Sequence, residues 1–317
     1  MGSEKIKLPT IDFNFTEFKS NSAQWISTRN KVFKSLEEFG CFEALYDKVS
    51  WEMKVALYNE LEKLFDFSLE TKMKNYREES LHGYLGPNPK MQYFESLCIE
   101  DAFVPEIVQF FTQIFWPEGN SNFRNLVQNY SNNLSELDQL IRRMILERLG
   151  MEKYIEEHMK STHYPLRFSK YKAPLSIDSK LGLVSHTDKN VLTILCQNQV
   201  NGLQILTKDS HEWIDVEISP NSFIVISADS LHAWTNGRVH SPKHQVILCG
   251  NMERYSIALF STSIPGYIIE APKELVEDEK HPLLYKPFDS LEYIKFCART
   301  ETGKKAENTL KAYAGNN

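Results

Sequence analysis

Leu183-Val184-Ser185-His186-Thr187-Asp188-Lys189-Asn190-Val191-Leu192-Thr193-Ile194-Leu195-Cys196 is two short apolar runs parted by a polar stretch holding a histidine and an aspartate. Runs of this length, rich in β-branched residues, predict strands. The pattern continues on both sides, at residues 166–171, 203–206, 213–216, 222–227, 245–249 and 255–260. Many short strands at this spacing predict an all-β body, closed or double-sheeted, of the jelly-roll kind.

Outside that core the period changes. Residues 22–38 put Trp25, Val32, Phe33 and Leu36 on one side of a helix. A second helix starts after Ser50, a plausible cap, and runs through Val55, Leu57, Leu61 and Leu64. A long amphipathic helix over 122–149 stops at Gly150. Residues 8–13 and 92–99 read as strands, the first burying Ile11 and Phe13, and residues 290–312 as a helix. The expected class is α+β with a mainly β core. A helix-rich region over 1–160 packs on a core over 161–265, and a C-terminal helical tail over 266–317 completes one compact unit.

Whole-chain properties narrow the function. At 317 residues the chain can bury a sizeable core. A net charge of -6 gives no reason to expect nucleic acid, which wants a basic face. The five cysteines are scattered, without a C-x-x-C pair, which predicts reduced thiols and no thiolate zinc site. No apolar run is long enough to cross a membrane. Gly2 invites a check for myristoylation, but Ile6 stands where Ser or Thr is needed. The expectation is a soluble, cytoplasmic monomer acting on a small molecule.

His186 and Asp188 are two apart, so on a strand both side chains would face one ion. His244, in Pro242-Lys243-His244-Gln245-Val246, would arrive from a later strand. Two imidazoles and one carboxylate hold Fe(II) on one face and leave the other open. Taken alone, His186 and Asp188 read as a surface hydrogen-bonded pair, and His244 as a polar residue at a strand start. His240 precedes His244 with the same parity, but Ser241-Pro242 interrupts the strand; His232 lies nearer a turn. Both rank below His244. His82, His158, His163, His211 and His281 read as structural or solvent-exposed.

Arg254-Tyr255-Ser256, ten residues past His244, changes the weighing. Arginine offers a planar fork for a carboxylate, and serine on the same strand face adds a hydroxyl. Fe(II), one aspartate and Arg254 together leave two positive charges, which 2-oxoglutarate neutralises, as a desolvated pocket requires. An isolated Arg-x-Ser would instead read as a surface strand. Arg167, Ser169 and Tyr171 share a face, and the Tyr171 hydroxyl could reach the same carboxylate or simply pack.

These residues resemble the plant 2-oxoglutarate- and Fe(II)-dependent dioxygenases over nearly the whole chain. The likeness runs from Leu8-Pro9-Thr10-Ile11-Asp12-Phe13 through Gly202-Leu203-Gln204-Ile205 and Asn236-Gly237-Arg238 to residues 254–260. Phe94-Glu95-Ser96-Leu97-Cys98-Ile99, His186-Thr187-Asp188-Lys189-Asn190 and His281-Pro282-Leu283-Leu284-Tyr285 are similar to the AOP-type subgroup, named for alkenyl and hydroxyalkyl production. The resemblance implies a double-stranded β-helix with His186, Asp188 and His244 as iron ligands. Arg254 and Ser256, helped by Tyr171, would bind the distal carboxylate of 2-oxoglutarate. The chain departs from the family at Ser169, Lys170 and Lys172 around Tyr171, and at Gln245, where Arg is frequent.

The implied reaction consumes O2 and 2-oxoglutarate, yields succinate and CO2, and hydroxylates, desaturates or dealkylates a specialised metabolite, with ascorbate as reductant. Phe260 and Arg167 face the expected substrate space, and Tyr93, Phe94 and Glu95 its mouth. Phe288, Tyr293 and Phe296 are lid candidates, though each also fits core packing. The rivals are an auxin-type hormone oxidase, a non-catalytic small-molecule binder on the same fold, and a metal hydrolase that needs no Arg254.

Overall fold

The computed structural model describes residues 7–14, 22–77, 82–174, 179–276 and 281–316; Gly2 and Ile6 lie outside them. In chain order the N-terminal part holds β1 (Thr10–Asp12), α1 (Ala23–Glu38), β2 (Cys41–Leu45), α2 (Trp51–Asp66), α3 (Leu69–Met73) and β3 (Phe94–Ile99). It continues with α4 (Pro105–Phe115), α5 (Ser121–Arg148) and α6 (Ile155–Lys160). The next strands are β4 (Thr162–His163), β5 (Leu166–Tyr171), β6 (Lys180–His186), β7 (Leu192–Gln197), β8 (Leu203–Leu206), β9 (Trp213–Asp215) and β10 (Ser222–Ser227). They are followed by α7 (Asp229–Trp234), β11 (His244–Leu248), β12 (Arg254–Ser263), β13 (Ile268–Ile269) and β14 (Phe288–Asp289). Three short helices end the chain: α8 (Ser290–Arg299), α9 (Glu301–Lys305) and α10 (Thr309–Ala314).

Local chemistry sets the helix starts. Ser22, Ser50 and Asn120 each accept a backbone N–H three residues on, at 3.1, 3.2 and 3.0 Å, satisfying donors that a first turn leaves orphaned. The tail departs from the single helix expected over 290–312. Thr300 caps Gly303 and Asn308 caps Lys311, so the chain restarts twice.

Among the described residues, β1 to β12 form the two facing sheets of a double-stranded β-helix, not a closed barrel, and β13 and β14 pair separately. The major sheet runs β1-β2-β10-β7-β12-β5-β3, with β4 beside β12; the minor one runs β6-β11-β8-β9. The N-terminal strands β1, β2 and β3 belong to the major sheet, so that sheet crosses the boundary expected at residue 160.

Alternation divides the major sheet chemically. Phe168, Ile194, Ile257 and Leu259 are buried on one side, beneath α2, α4 and α5, where Phe111, Phe123, Tyr130 and Leu137 complete the main core. The opposite side carries Arg167, Ser169, Tyr171, Thr193, Gln197, Arg254 and Ser256. That polar face meets the minor sheet, where Val246 and Leu248 pack on Phe94 and Tyr171. Gly182 of β6 makes the approach possible: a Cβ there would lie 2.9 Å from Leu248 Cγ and 3.1 Å from Tyr171 Cδ1.

Candidate metal centre

The first residue of β11 pairs with the last residue of β6, so His244 and His186 face each other with ring centroids 4.2 Å apart. Asp188 arrives differently from the strand-parity expectation. β6 ends at His186 and Asp188 sits in the following loop. The Thr193 hydroxyl, from β7, donates to Asp188 Oδ2 at 2.6 Å and leaves Oδ1 turned to the imidazoles. Oδ1 is 3.6 Å from His186 Nε2 and 3.7 Å from His244 Nε2, and the three ligand atoms all lie within 4.8 Å of one another.

Each imidazole is oriented from behind. His186 Nδ1 meets the Val184 carbonyl at 2.8 Å and His244 Nδ1 the Pro242 carbonyl at 3.4 Å, which leaves both Nε2 lone pairs for an ion. Burial, then the charge of His186, pushes His244 down to about 4, so its imidazole is neutral at physiological pH. Burial alone would raise the Asp188 carboxyl; His244, His186 and the Thr193 hydroxyl outweigh it and hold the group well below the usual carboxylate range. An ionised carboxylate converging with two imidazoles, at separations too long for hydrogen bonds, fits Fe(II).

β12 and β7 build the other end. Arg254, 1% exposed, donates from Nε and Nη2 to Gln197 Oε1 at 3.1 and 2.8 Å. Gln197 is held in turn through Asn201 Oδ1 at 2.9 Å. The guanidinium carbon lies 4.8 Å from the Tyr171 ring centroid, and Ser256 is buried one β12 step away on the same face. Burial lowers the Arg254 pKa against a partial offset from Tyr171, and burial raises the Tyr171 hydroxyl against Arg254 and Ser256. Arg254 Nη1 is buried with no hydrogen-bond partner among the described residues. An orphaned guanidinium nitrogen in a desolvated site is a place for a carboxylate oxygen.

A cavity of about 150 Å³ opens against Asp188, lined in part by Arg167, Phe260, Asn190, Thr262, His82 and Ile294. Arg167 donates to Ser96 Oγ at 2.7 Å across β3 and β5. Of the expected mouth residues, Phe94 lies 5.2 Å from the Tyr171 ring, and half-buried Tyr93 packs on the same cluster. Glu95 is on the opposite face, 2.8 Å from the Lys72 ammonium and accepting from the Tyr84 hydroxyl at 2.7 Å, because β3 alternates away from the cavity there. Phe288 and Tyr293 pack against each other and Tyr313, outside the cavity lining; the Tyr293 neighbour Ile294 faces it instead. Phe296 likewise packs on Tyr313, its ring tilted 39° to it.

His232 and His240 line a separate cavity of about 420 Å³ that includes none of His186, Asp188 and His244. His232 is engaged by the Val239 carbonyl at 2.6 Å and the Tyr285 hydroxyl at 3.0 Å. The family departures leave the triad untouched: Lys170 pairs with Glu253 at 3.0 Å, and Gln245 donates to Gln204 at 2.9 Å. Sequence reasoning missed Gln197 and Thr193. Strand parity puts Thr193 and Gln197 in phase, but only the pairing of Gln197 with Ser256 across β7 and β12 brings it to Arg254.

The family model for the 2OG-Fe(II) oxygenase superfamily matches residues 155–263. The chain is 44% identical over 318 residues to the probable 2-oxoglutarate-dependent dioxygenase AOP1.2 of Arabidopsis thaliana, covering 98% of this chain and 97% of that protein. The fold superposes on the 2-oxoglutarate complex of the Arabidopsis dioxygenase for auxin oxidation 1 with TM-score 0.78 at 27% identity, covering 87% and 99% of the two chains. It superposes on JOX2 in complex with 2OG, Fe and JA with TM-score 0.81 at 22% identity, covering 99% and 90%. With relatives this similar along nearly its whole length, the chain belongs to the plant 2OG-Fe(II) oxygenases, alongside the AOP dioxygenases.

Proposed function

We propose that His186, Asp188 and His244 hold Fe(II), that Arg254, Ser256 and Tyr171 take the distal carboxylate of 2-oxoglutarate, and that a plant specialised metabolite is oxidised in the cavity beside Asp188. The observation that carries this reading is Arg254 Nη1, buried and without a hydrogen-bond partner among the described residues, on the sheet face that also carries Thr193, the donor to Asp188. A hydrolase has no use for a desolvated guanidinium there. Iron and 2-oxoglutarate, when bound, supply the oxidising chemistry, in which O2 is consumed, succinate and CO2 leave, and the substrate gains oxygen or loses hydrogen.

The chain's own share is position and charge. Gln197 fixes the guanidinium plane through two bonds, so the fork is set before a carboxylate arrives. The Nδ1 contacts of His186 and His244 fix the rings, and Thr193 fixes which Asp188 oxygen faces them. Phe260 offers an apolar wall, and Arg167 a cation, to a bulky and partly apolar substrate. The protein acts in this reading as a cytoplasmic monomer without a nucleic acid partner, kept reduced by ascorbate. Its net charge of -6 supports the second point, and no helix of the described residues is long and apolar enough to cross a membrane.

Supplying the purified protein with Fe(II), ascorbate, 2-oxoglutarate and fractionated plant extract tests the reading. It requires EDTA-sensitive succinate release that tracks a substrate mass shift of about +16 or -2 units. No succinate with any fraction leaves the non-catalytic binder. The likeness to an auxin-oxidising enzyme favours one second reading, hormone inactivation, which turnover of indole-3-acetate in the same assay would establish.

A further inference from the structure

One buried carboxylate outside the triad ties together the segments that present the metal ligands. Asp229, 3% exposed at the start of α7, accepts on Oδ2 from the Thr187 hydroxyl at 2.8 Å, the Lys189 ammonium at 2.9 Å and the Tyr293 hydroxyl at 2.8 Å. Its Oδ1 accepts from the Ser241 hydroxyl at 2.8 Å, and its backbone N–H donates to the Asp188 carbonyl at 2.9 Å. Thr187 stands between two ligands, Lys189 follows the second, and Ser241 lies just before the third, His244.

The flanking backbone extends the clasp. Ala228 N–H donates to the Val191 carbonyl at 3.1 Å, Ser230 N–H to the Asn190 carbonyl at 3.1 Å, and the Ser230 hydroxyl to the Lys189 carbonyl at 2.6 Å. The loop between β6 and β7 has no strand ladder of its own, so these bonds set its course. Four side-chain donors converge on the Asp229 carboxylate, three of them on Oδ2. One of them is remote in sequence: Tyr293, on α8, is wholly buried and also shares a 2.8 Å hydrogen bond with Thr309 of α10. The C-terminal helices therefore reach the metal loop through the oxygen that also holds Thr187 and Lys189.

We infer that Asp229 is the positioning carboxylate of the metal centre and that, through Tyr293, it links docking of the C-terminal helices to metal occupancy. The inference rests on the metal-site reading above. Linkage is reciprocal: if a docked α8 tightens the metal site, bound metal must tighten α8.

Titrating the full-length protein with Mn(II) alone, followed by paramagnetic resonance, tests this alongside hydrogen exchange of the α8 amides with and without the ion. Asp229→Asn should weaken Mn(II) binding about tenfold or more. Tyr293→Phe keeps the ring and loses one bond, and should weaken Mn(II) binding about threefold. Mn(II) should slow α8 exchange in the wild type, and Tyr293→Phe should abolish that slowing. Should Asp229→Asn fail to fold, Ser241→Ala takes its place, with a loss of about threefold or more. Variants that bind Mn(II) as the wild type does, or α8 exchange indifferent to the ion, overturn the inference alone. A wild-type chain that takes no Mn(II) overturns the metal-site reading as well.

Discussion

Thr193 and Gln197 stand four residues apart on one face of β7 and hold the two ends of the site: Thr193 donates to Asp188 Oδ2, and Gln197 accepts from Arg254. That span is about 13 Å along a strand. One rigid strand thus sets the separation between the proposed metal and the proposed carboxylate anchor, which suits a short dicarboxylate lying between them.

Gln197→Glu should separate charge from shape at the anchor. The new carboxylate would occupy the Arg254 fork and repel a dicarboxylate, so affinity for 2-oxoglutarate should fall by about tenfold or more while thermal stability holds. Gln197→Ala instead strands two buried N–H groups and should cost about 1.5–3 kcal/mol of stability. Calorimetric titration with 2-oxoglutarate and a melting curve distinguish the two; unchanged affinity in Gln197→Glu speaks against the anchor.

Thr193→Val keeps the volume of the side chain and removes the hydroxyl that turns Asp188 Oδ1 toward the histidines. Metal affinity should drop about 10–100-fold, the usual cost of losing a group that orients a ligand. A Co(II) titration read by visible absorption measures it, and wild-type affinity would mean that Asp188 needs no such hold.

Gly182→Val should damage 2-oxoglutarate binding from the opposite sheet. Its Cβ would press on Leu248 and Tyr171 at about 3 Å, costing about 1–3 kcal/mol and displacing the Tyr171 ring from Arg254. The KM for 2-oxoglutarate should rise severalfold with metal affinity preserved; the reverse pattern would place Tyr171 nearer the metal than the anchor.

Acid stability should carry the mark of His158. Burial and the neighbouring Arg142 guanidinium push its pKa down to about 3, against an ordinary value of 6.5. Between those values the unfolded chain takes a proton that the folded chain refuses. The stability is therefore intact above pH 6.5 and lost as pH falls, at about 1.4 kcal/mol per unit for this group. His158→Gln should lose about 2 kcal/mol less than the wild type between about pH 6.5 and 5 in urea unfolding. Parallel losses in the two proteins would show that His158 stays uncoupled from folding.

What was legible in the sequence was local. Ser50 capping α2 and the short apolar runs that became β5, β8 and β10 follow from neighbours a few residues apart. Within the candidate site, His186 and Asp188, and Arg254 and Ser256, are likewise pairs two residues apart, whereas His244 lies far from Asp188 in sequence. What stayed hidden depends on partners distant in sequence. Gln197 meets Arg254 only because β7 pairs with β12, and Glu95 turns from the cavity to meet Lys72 on α3. Asp188 lies in the loop past the end of β6, where Thr193 bonds it, which an i, i+2 count along an ideal strand does not foresee.

The most direct test of the account is equilibrium binding of 2-oxoglutarate to Mn(II)-loaded wild type and Arg254→Leu. The account predicts metal-dependent saturation in the wild type and a loss of about a hundredfold or more in the variant, as expected when a buried, charge-assisted anchor is removed. Equal affinity in the two proteins would contradict it.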